Sequence, residues 1–401
     1  MEDYHGQLTR KQKDLPAEIM HEILSRLPVK PLCRFRCVSK SWRSLIFDAD
    51  FIAMHSKAIE NKDVFFQRRK LVFTDGSRHR LYSLDLDRFL NQNHAVLKNR
   101  GYADNKQNNV DVDGLVAVAT ELDFVYNHFP RRGYDWFPFV YSCNSFLWSQ
   151  SYHEFNLINP VAKESKKLPN TPKWRLPRKP FFWELYGFGF DYSTNEYKVV
   201  NGQFYYDDIV FSVYTLETDS WRQIEGHFPY EPNRYDGIVL NGGVHWLVWT
   251  VADRSLLILS FLLAEEEIRE IPLPPIGNTG SIDLGVFRDW LCITLYSLTA
   301  DETHNEFWVM KEYGVRESWT KMRVSIPYHE LSHSGFWRES HDLMVFDRSS
   351  LVMYNFNDES SWTLSIRNID KVDSFGSVGI YVESLASLIE QEHAASCKLV
   401  N

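Results

Sequence analysis

Residues 329–333 read His-Glu-Leu-Ser-His. On a helix this spacing sets His329 and His333 on one face as zinc ligands, with Glu330 as the general base of a hydrolase. The surroundings oppose that chemistry. Pro327 stands just before and Gly335 just after, so a long helix is not expected. Ser332 and Ser334 stand where a core-facing helix needs apolar residues. The extended zinc-peptidase pattern wants a glycine at 336 and a histidine at 339, where Phe336 and Glu339 stand. The stretch is expected in a loop or connecting strand, without metal. Cys33 and Cys37 lie inside a run of helically spaced apolar residues and read as core. The sequence carries no phosphate loop, nucleophile elbow or dinucleotide fingerprint, and spacing marks out no pair of acids. No catalytic residue and no cofactor are expected. A zinc hydrolase on 329–333 is the alternative set aside.

The elements that hold these residues follow from the apolar pattern. Leu15, Ile19, Met20, Ile23, Leu24 and Leu27 step by 4, 1, 3, 1 and 3, one stripe on a helix. Asp14 is placed to cap it, Pro16 fits its first turn and Pro28 ends it. Pro31 opens a second short helix with Leu32 and Phe35. Val38, Trp42, Leu45 and Ile46 give a third, and Phe51 and Ile52 begin a fourth. A unit of about 40 residues has a marginal core and leans on a partner. Arg34, Arg36, Lys40 and Arg43 make it locally basic, which suits an acidic partner.

The rest of the chain repeats a strand–turn–Trp–strand unit. FSVYTLETDSWRQI (211–224), FWVMKEYGVRESWTKM (307–322) and LVMYNFNDESSWTLSI (351–366) share it. FNLINPVAKESKKLP (155–169) and LSFLLAEEEIREIPLP (259–274) carry Leu168 and Ile271 in place of the tryptophan. RLYSLDLDRFL (80–90) is a sixth copy before a longer insertion. Positions 168, 221, 271, 319 and 362 recur at steps of 53, 50, 48 and 43, which predicts four-stranded propeller blades, each burying its Trp or Leu against the next. The apolar run 256–264 is too short to span a bilayer and reads as strand.

Net charge is −9, and the basic excess is confined to the N-terminal helices, so the body offers no stripe for nucleic acid. Five scattered cysteines, no Asn-x-Ser/Thr acceptor and a polar N-terminus predict a soluble protein of the cytoplasm or nucleus. Neither nucleic acid nor membrane is an expected partner.

The ordered set Leu15-Pro16, Ile19, Ile23-Leu24, Leu27-Pro28, Leu32, Phe35-Arg36-Cys37-Val38-Ser39-Lys40, Trp42 and Leu45-Ile46 resembles an F-box. The Gly242-Gly243 doublet resembles a kelch repeat, although the other blades lack it. VDVDGLVAVA (110–119), Asn159-Pro160 with Leu168-Pro169, GFGFD…YKVV, VYTLETDSWR, NGGVHWL, FWVMKEYGVRESWTKM and YVESL (381–385) resemble, in order, the F-box-associated domain of plants. The resemblance implies a mainly β protein: a small N-terminal helical F-box followed by a kelch-like β-propeller of about six blades. The divisions are a polar tail at 1–13, the F-box at 14–55, the propeller at 56–390 and a tail at 391–401. It also implies a non-catalytic substrate receptor of an SCF ubiquitin ligase. Leu15, Pro16, Ile19, Ile23, Leu24, Leu27, Pro28 and Leu32 would bind a Skp-type adaptor, and through it cullin and RING subunits. An F-box module that does not drive degradation is the alternative. Two stretches interleave aromatic and basic residues as binding hot spots do. They nominate Arg132, Tyr134, Trp136, Trp174, Arg178 and Phe182 to capture an unknown protein substrate.

Overall fold

In a computed structural model, the described residues are 16–57, 61–75, 80–100, 116–127, 140–151, 154–172, 184–205, 207–276, 282–295, 305–326, 331–367, 369 and 374–388. They fall into two compact units, divided at Arg68 and Arg69, with 384–386 belonging to the first.

The first unit is helical: α1 (Ala17–Ser25), α2 (Val29–Phe35), α3 (Lys40–Ile46), α4 (Ala49–Lys57) and α5 (Lys62–Arg68). Each short helix begins on a side chain or proline that supplies its first turn. The Pro16 carbonyl accepts from Ile19 and Met20, both at 3.1 Å. Ser39 caps α3 by accepting from Trp42 N–H at 3.1 Å, and Asp48 does the same for Phe51 at the start of α4. Leu24, Val29, Leu32, Ile46 and Phe51 form the core. His55 is buried among them. Its Nε2 lies 3.1 Å from the Leu27 carbonyl and its Nδ1 3.1 Å from Arg68 Nη1, so α5 ties back to α4. The helical unit thus runs past residue 55, because Arg68 completes the hydrogen bonding of a core histidine.

The second unit is a six-bladed ring. Blade I comprises Phe375–Val382, Arg69–Asp75, Arg80–Leu84 and Thr120–Glu121, from the centre outward. Blades II to VI follow in chain order, with inner strands Val140–Cys143, Glu184–Asp191, Ile238–Leu240, Ile282–Phe287 and Leu331–Arg338. Each inner strand lies beside the next, and Phe375–Val382 lies between those of blades VI and II, so the circle closes on itself. The helix α6 (Leu86–Arg100) fills the insertion in blade I, and Ser365–Arg367 pairs in parallel with Val116–Val118.

Alternating strand residues bury apolar clusters between neighbouring blades. Val200, Phe211, Val213 and Leu185 of blade III pack on Val244, Trp246 and Phe261 of blade IV. The repeat tryptophans lock blade to blade. Trp221 Nε1 donates to the Pro169 carbonyl at 2.8 Å, and Trp319 Nε1 to the Pro272 carbonyl at 2.9 Å. Each acceptor directly follows Leu168 or Ile271, the equivalent apolar position of the preceding blade, and both of those are buried. Trp362 packs half-buried on the cluster between blades VI and I. The Gly242-Gly243 doublet serves a two-residue hairpin turn in which Asn241 (φ 50°) and Gly242 (φ 72°) are both left-handed.

Candidate functional site

The helical unit presents an apolar face. Ile19 and Ile23 lie one turn apart on α1 and are 47% and 48% exposed. Pro16 and Pro28 are exposed at its two ends, and Leu27 is half-buried. Leu24 and Leu32 point the other way: at 1% and 0% exposure they hold the unit together and are not available to a partner. Leu15 lies outside the described residues. Two corrections extend the picture. Val38, expected on the third helix stripe, precedes α3 and is 63% exposed, since Ser39 starts that helix. Cys37, expected in the core, is exposed because α2 stops at Phe35. Met54 adds another exposed apolar side chain at 44%. Of the basic residues, Arg36 and Arg43 lie over the Phe47 ring at 4.2 and 5.6 Å, so part of their role is packing.

The propeller brings a polar group together at the end of the ring where its inner strands begin. Tyr141 comes from blade II, Glu184 and Tyr186 from blade III, Arg234 and Asp236 from the approach to blade IV, and Asp283 from blade V. Their placement rests on a close backbone passage. Tyr186 N–H donates to the Tyr235 carbonyl at 2.9 Å, and Gly237 N–H to the Tyr186 carbonyl at 2.7 Å. A Cβ on Gly237 would come within 2.4 to 2.6 Å of Val244, Tyr186 and Trp246, so glycine alone permits this approach. Tyr141 donates its hydroxyl to the Asp236 carboxylate across the mouth. Burial pushes the Asp236 carboxyl above its ordinary range and the Asp283 charge adds to it; Tyr141 and Arg234 pull the other way. Arg234 Nε stands 3.6 Å from Asp283 Oδ1.

The F-box domain profile matches residues 13–53. The profile of the F-box associated beta propeller domain matches residues 118–357, which is 240 residues and more than half of the chain. The chain is an F-box protein with an F-box-associated propeller. Its relatives agree. The F-box/kelch-repeat protein At3g23880 of Arabidopsis thaliana is 28% identical over 354 residues, covering 85% of this chain and 88% of that one. The F-box protein CPR1 of the same plant is 28% identical over 395 residues, covering 88% and 85%.

F-box domains generally bind Skp-type adaptors, and proteins of this family are typically non-catalytic. The 329–333 motif fits that character. His333 sits on the inner strand Leu331–Arg338 of blade VI, so it cannot belong to a helical i, i+4 pair. Its Nε2 is shut off from solvent without a hydrogen-bond partner, and its ring centroid lies 4.6 Å from that of Phe307 and 5.5 Å from that of Phe287. Burial pulls its pKa down to about 3. His329 and Glu330 lie outside the described residues. Arg132, Tyr134, Trp136, Trp174, Arg178 and Phe182 also lie outside them. Sequence reasoning missed the Tyr141–Asp236 pairing, and no spacing signal could have found it. Ring closure alone brings together residues so far apart in the chain.

Proposed function

We propose that this F-box protein is the substrate receptor of an SCF-type ubiquitin ligase. Its helical unit docks on a Skp-type adaptor, and its propeller captures a protein for ubiquitination and degradation. The observation that carries the reading is the exposed Ile19–Ile23 face, flanked by Pro16 and Pro28, on a unit that folds around a separate core. A soluble domain leaves such a face uncovered when a partner covers it. The basic residues Arg34, Arg36, Lys40 and Arg43 of the same unit favour encounter with an acidic adaptor. Such an assembly would work in the cytoplasm or nucleus. The test is reconstitution: purified full chain, Skp-type adaptor, cullin and RING subunit should co-elute as one complex. Elution of the chain apart from the adaptor would overturn the reading. Stabilisation of candidate targets when the chain is depleted would establish the degradative step.

A further inference from the structure

Five consecutive residues at the junction of α2 and α3 are exposed: Cys37, Val38, Ser39, Lys40 and Ser41. Ser39 stands at their centre in extended backbone, φ −155° and ψ 163°. Its Oγ lies 3.0 Å from Ser41 Oγ and accepts from Trp42 N–H at 3.1 Å. The chain just ahead of it is held by turn bonds, Cys37 N–H to the Arg34 carbonyl at 3.1 Å and Val38 N–H to the Phe35 carbonyl at 3.0 Å. An exposed terminal turn of this kind opens locally while a core such as Leu32 and Ile46 stays in place.

What precedes Ser39 selects the chemistry. Arg34 and Arg36 lie five and three residues ahead of it. In an extended chain, residues two apart share a face, so the two guanidiniums would stand about 7 Å apart on one side. An acidic cleft holds such a pair through charge-assisted bonds and leaves the hydroxyl three residues on at the reacting atoms. An arginine-directed serine kinase reads its substrate in this way. Arg34 is exposed already, and Arg36 leaves the Phe47 ring, 4.2 Å away, when the turn opens. The same spacing recurs at Ser83, after Arg78 and Arg80, and there the fold withholds it. Ser83 is in the middle of a blade I strand, opposite Val72 on one side and Thr120 on the other, and its Oγ lies 2.9 Å from the Tyr381 hydroxyl. Presenting Ser39 needs the end of α2 to open, whereas presenting Ser83 needs the blade to come apart.

The consequence falls on docking. Residues 16–57 hold seven Lys and Arg against four Asp and Glu, a net charge of +3. A phosphoserine brings about −1.5 to −2 and removes most of that excess. A phosphate oxygen still accepts from Trp42 N–H, so α3 stays capped.

We propose that Ser39 is a phosphorylation site for an arginine-directed serine kinase, and that phosphate there weakens docking on an acidic adaptor while the helical unit stays folded. The Ser39 Oγ attacks the γ-phosphorus of ATP. The new O–P bond forms as the bond to the leaving ADP oxygen breaks, and the hydroxyl proton passes to a carboxylate of the kinase. The effect on docking rests on the receptor reading; the modification itself does not.

The full chain is incubated with ATP, magnesium and a recombinant serine kinase selected on an Arg-x-Arg-x-x-Ser peptide, and labelled sites are mapped by fragmentation mass spectrometry. Ser39 should take phosphate at least about tenfold faster than Ser83 in the folded protein, and the two rates should converge once it is unfolded. The phosphorylated chain should bind the Skp-type adaptor about tenfold more weakly in low salt, with the gap narrowing in high salt and the melting temperature not lowered. Phosphatase treatment should restore binding. Ser39→Asn keeps a capping oxygen and removes the acceptor, so it should bind the adaptor as the unaltered chain does, with or without kinase. If that variant misfolds, the phosphatase comparison on the unaltered chain decides. No phosphate on Ser39, Ser83 labelled as fast in the folded protein, or undiminished adaptor binding by the phosphorylated chain would overturn the assignment. An unmodified chain that fails to bind the adaptor removes the receptor reading instead, and labelling of Ser39 ahead of Ser83 then still supports the modification site.

Discussion

Changing Ile19 and Ile23 together to alanine should weaken adaptor binding without weakening the fold. Full burial of an isoleucine side chain is worth about 1.5–3 kcal/mol, and both residues are already about half covered within the helical unit. The partner can therefore gain only the exposed half of each, and the alanines return a small part of it. The two together account for roughly 2 kcal/mol, or about a thirty-fold rise in Kd. The same substitutions raise helix propensity by a few tenths of a kcal/mol each, so α1 should not loosen. Leu24→Ala is the contrast. It empties a site that is 1% exposed and should cost about 2–5 kcal/mol of the helical unit's stability. Calorimetric titration with the purified adaptor, paired with thermal melting of each variant, reads both quantities. A double variant that binds within threefold of the unaltered protein would refute the docking face. One that melts as early as Leu24→Ala would show that the two isoleucines belong to the core.

Leu15→Ala with Pro16→Ala should also abolish co-purification with the adaptor while the propeller's melting transition stays in place. Trp319→Ala should cost about 3–5 kcal/mol, and Trp319→Phe less, because the ring is 6% exposed and its Nε1–H docks on the preceding blade; an unshifted melting curve for the alanine variant would show that the interblade lock does not carry stability. The His333 pKa is pulled down to about 3, so folding favours the neutral ring. Its contribution is full above the unfolded pKa near 6.5 and falls away as pH drops toward 3, by about 1.4 kcal/mol per unit. His333→Leu should therefore be neutral or stabilising at pH 7 and should flatten the decline between pH 6.5 and 5 by roughly 2 kcal/mol. Denaturant melts at the two pH values check this, and parallel pH slopes would contradict it.

The helices were legible because prolines and polar caps bracket each one, and a stripe of period 3.6 survives in so short a segment. What the stripe did not reveal was its sides. Ile19, Ile23, Leu24 and Leu27 fall within one broad arc, and only the folded unit decides that Leu24 turns inward, buried like Leu32 and Phe51, while the isoleucines stay out. The blades were legible because a tryptophan, or Leu168 or Ile271 in its place, recurs at the outer strand of five of them. The first blade was the exception, since α6 separates Arg80–Leu84 from its outer strand Thr120–Glu121. His55 with Arg68, and Tyr141 with Asp236, were illegible for a common reason. Each pairing depends on chain segments that only tertiary structure brings together, and isolated residue types leave no periodic trace.

The inner strand of blade I is the last strand of the ring to be made, whereas its three partners are among the first. After Arg68, where the last of the five helices ends, a ribosome must add 314 residues up to Val382 before the circle can shut. At about 5–20 residues per second that is roughly 15–60 s. For that interval a nascent chain carries the five helices of its F-box unit and an open ring with an unpaired edge at Arg69–Asp75. A message that terminates early would leave the product in that state permanently. If the helical unit docks on an adaptor as proposed, such a product would occupy adaptors while capturing nothing, and truncation should behave as interference rather than as simple loss.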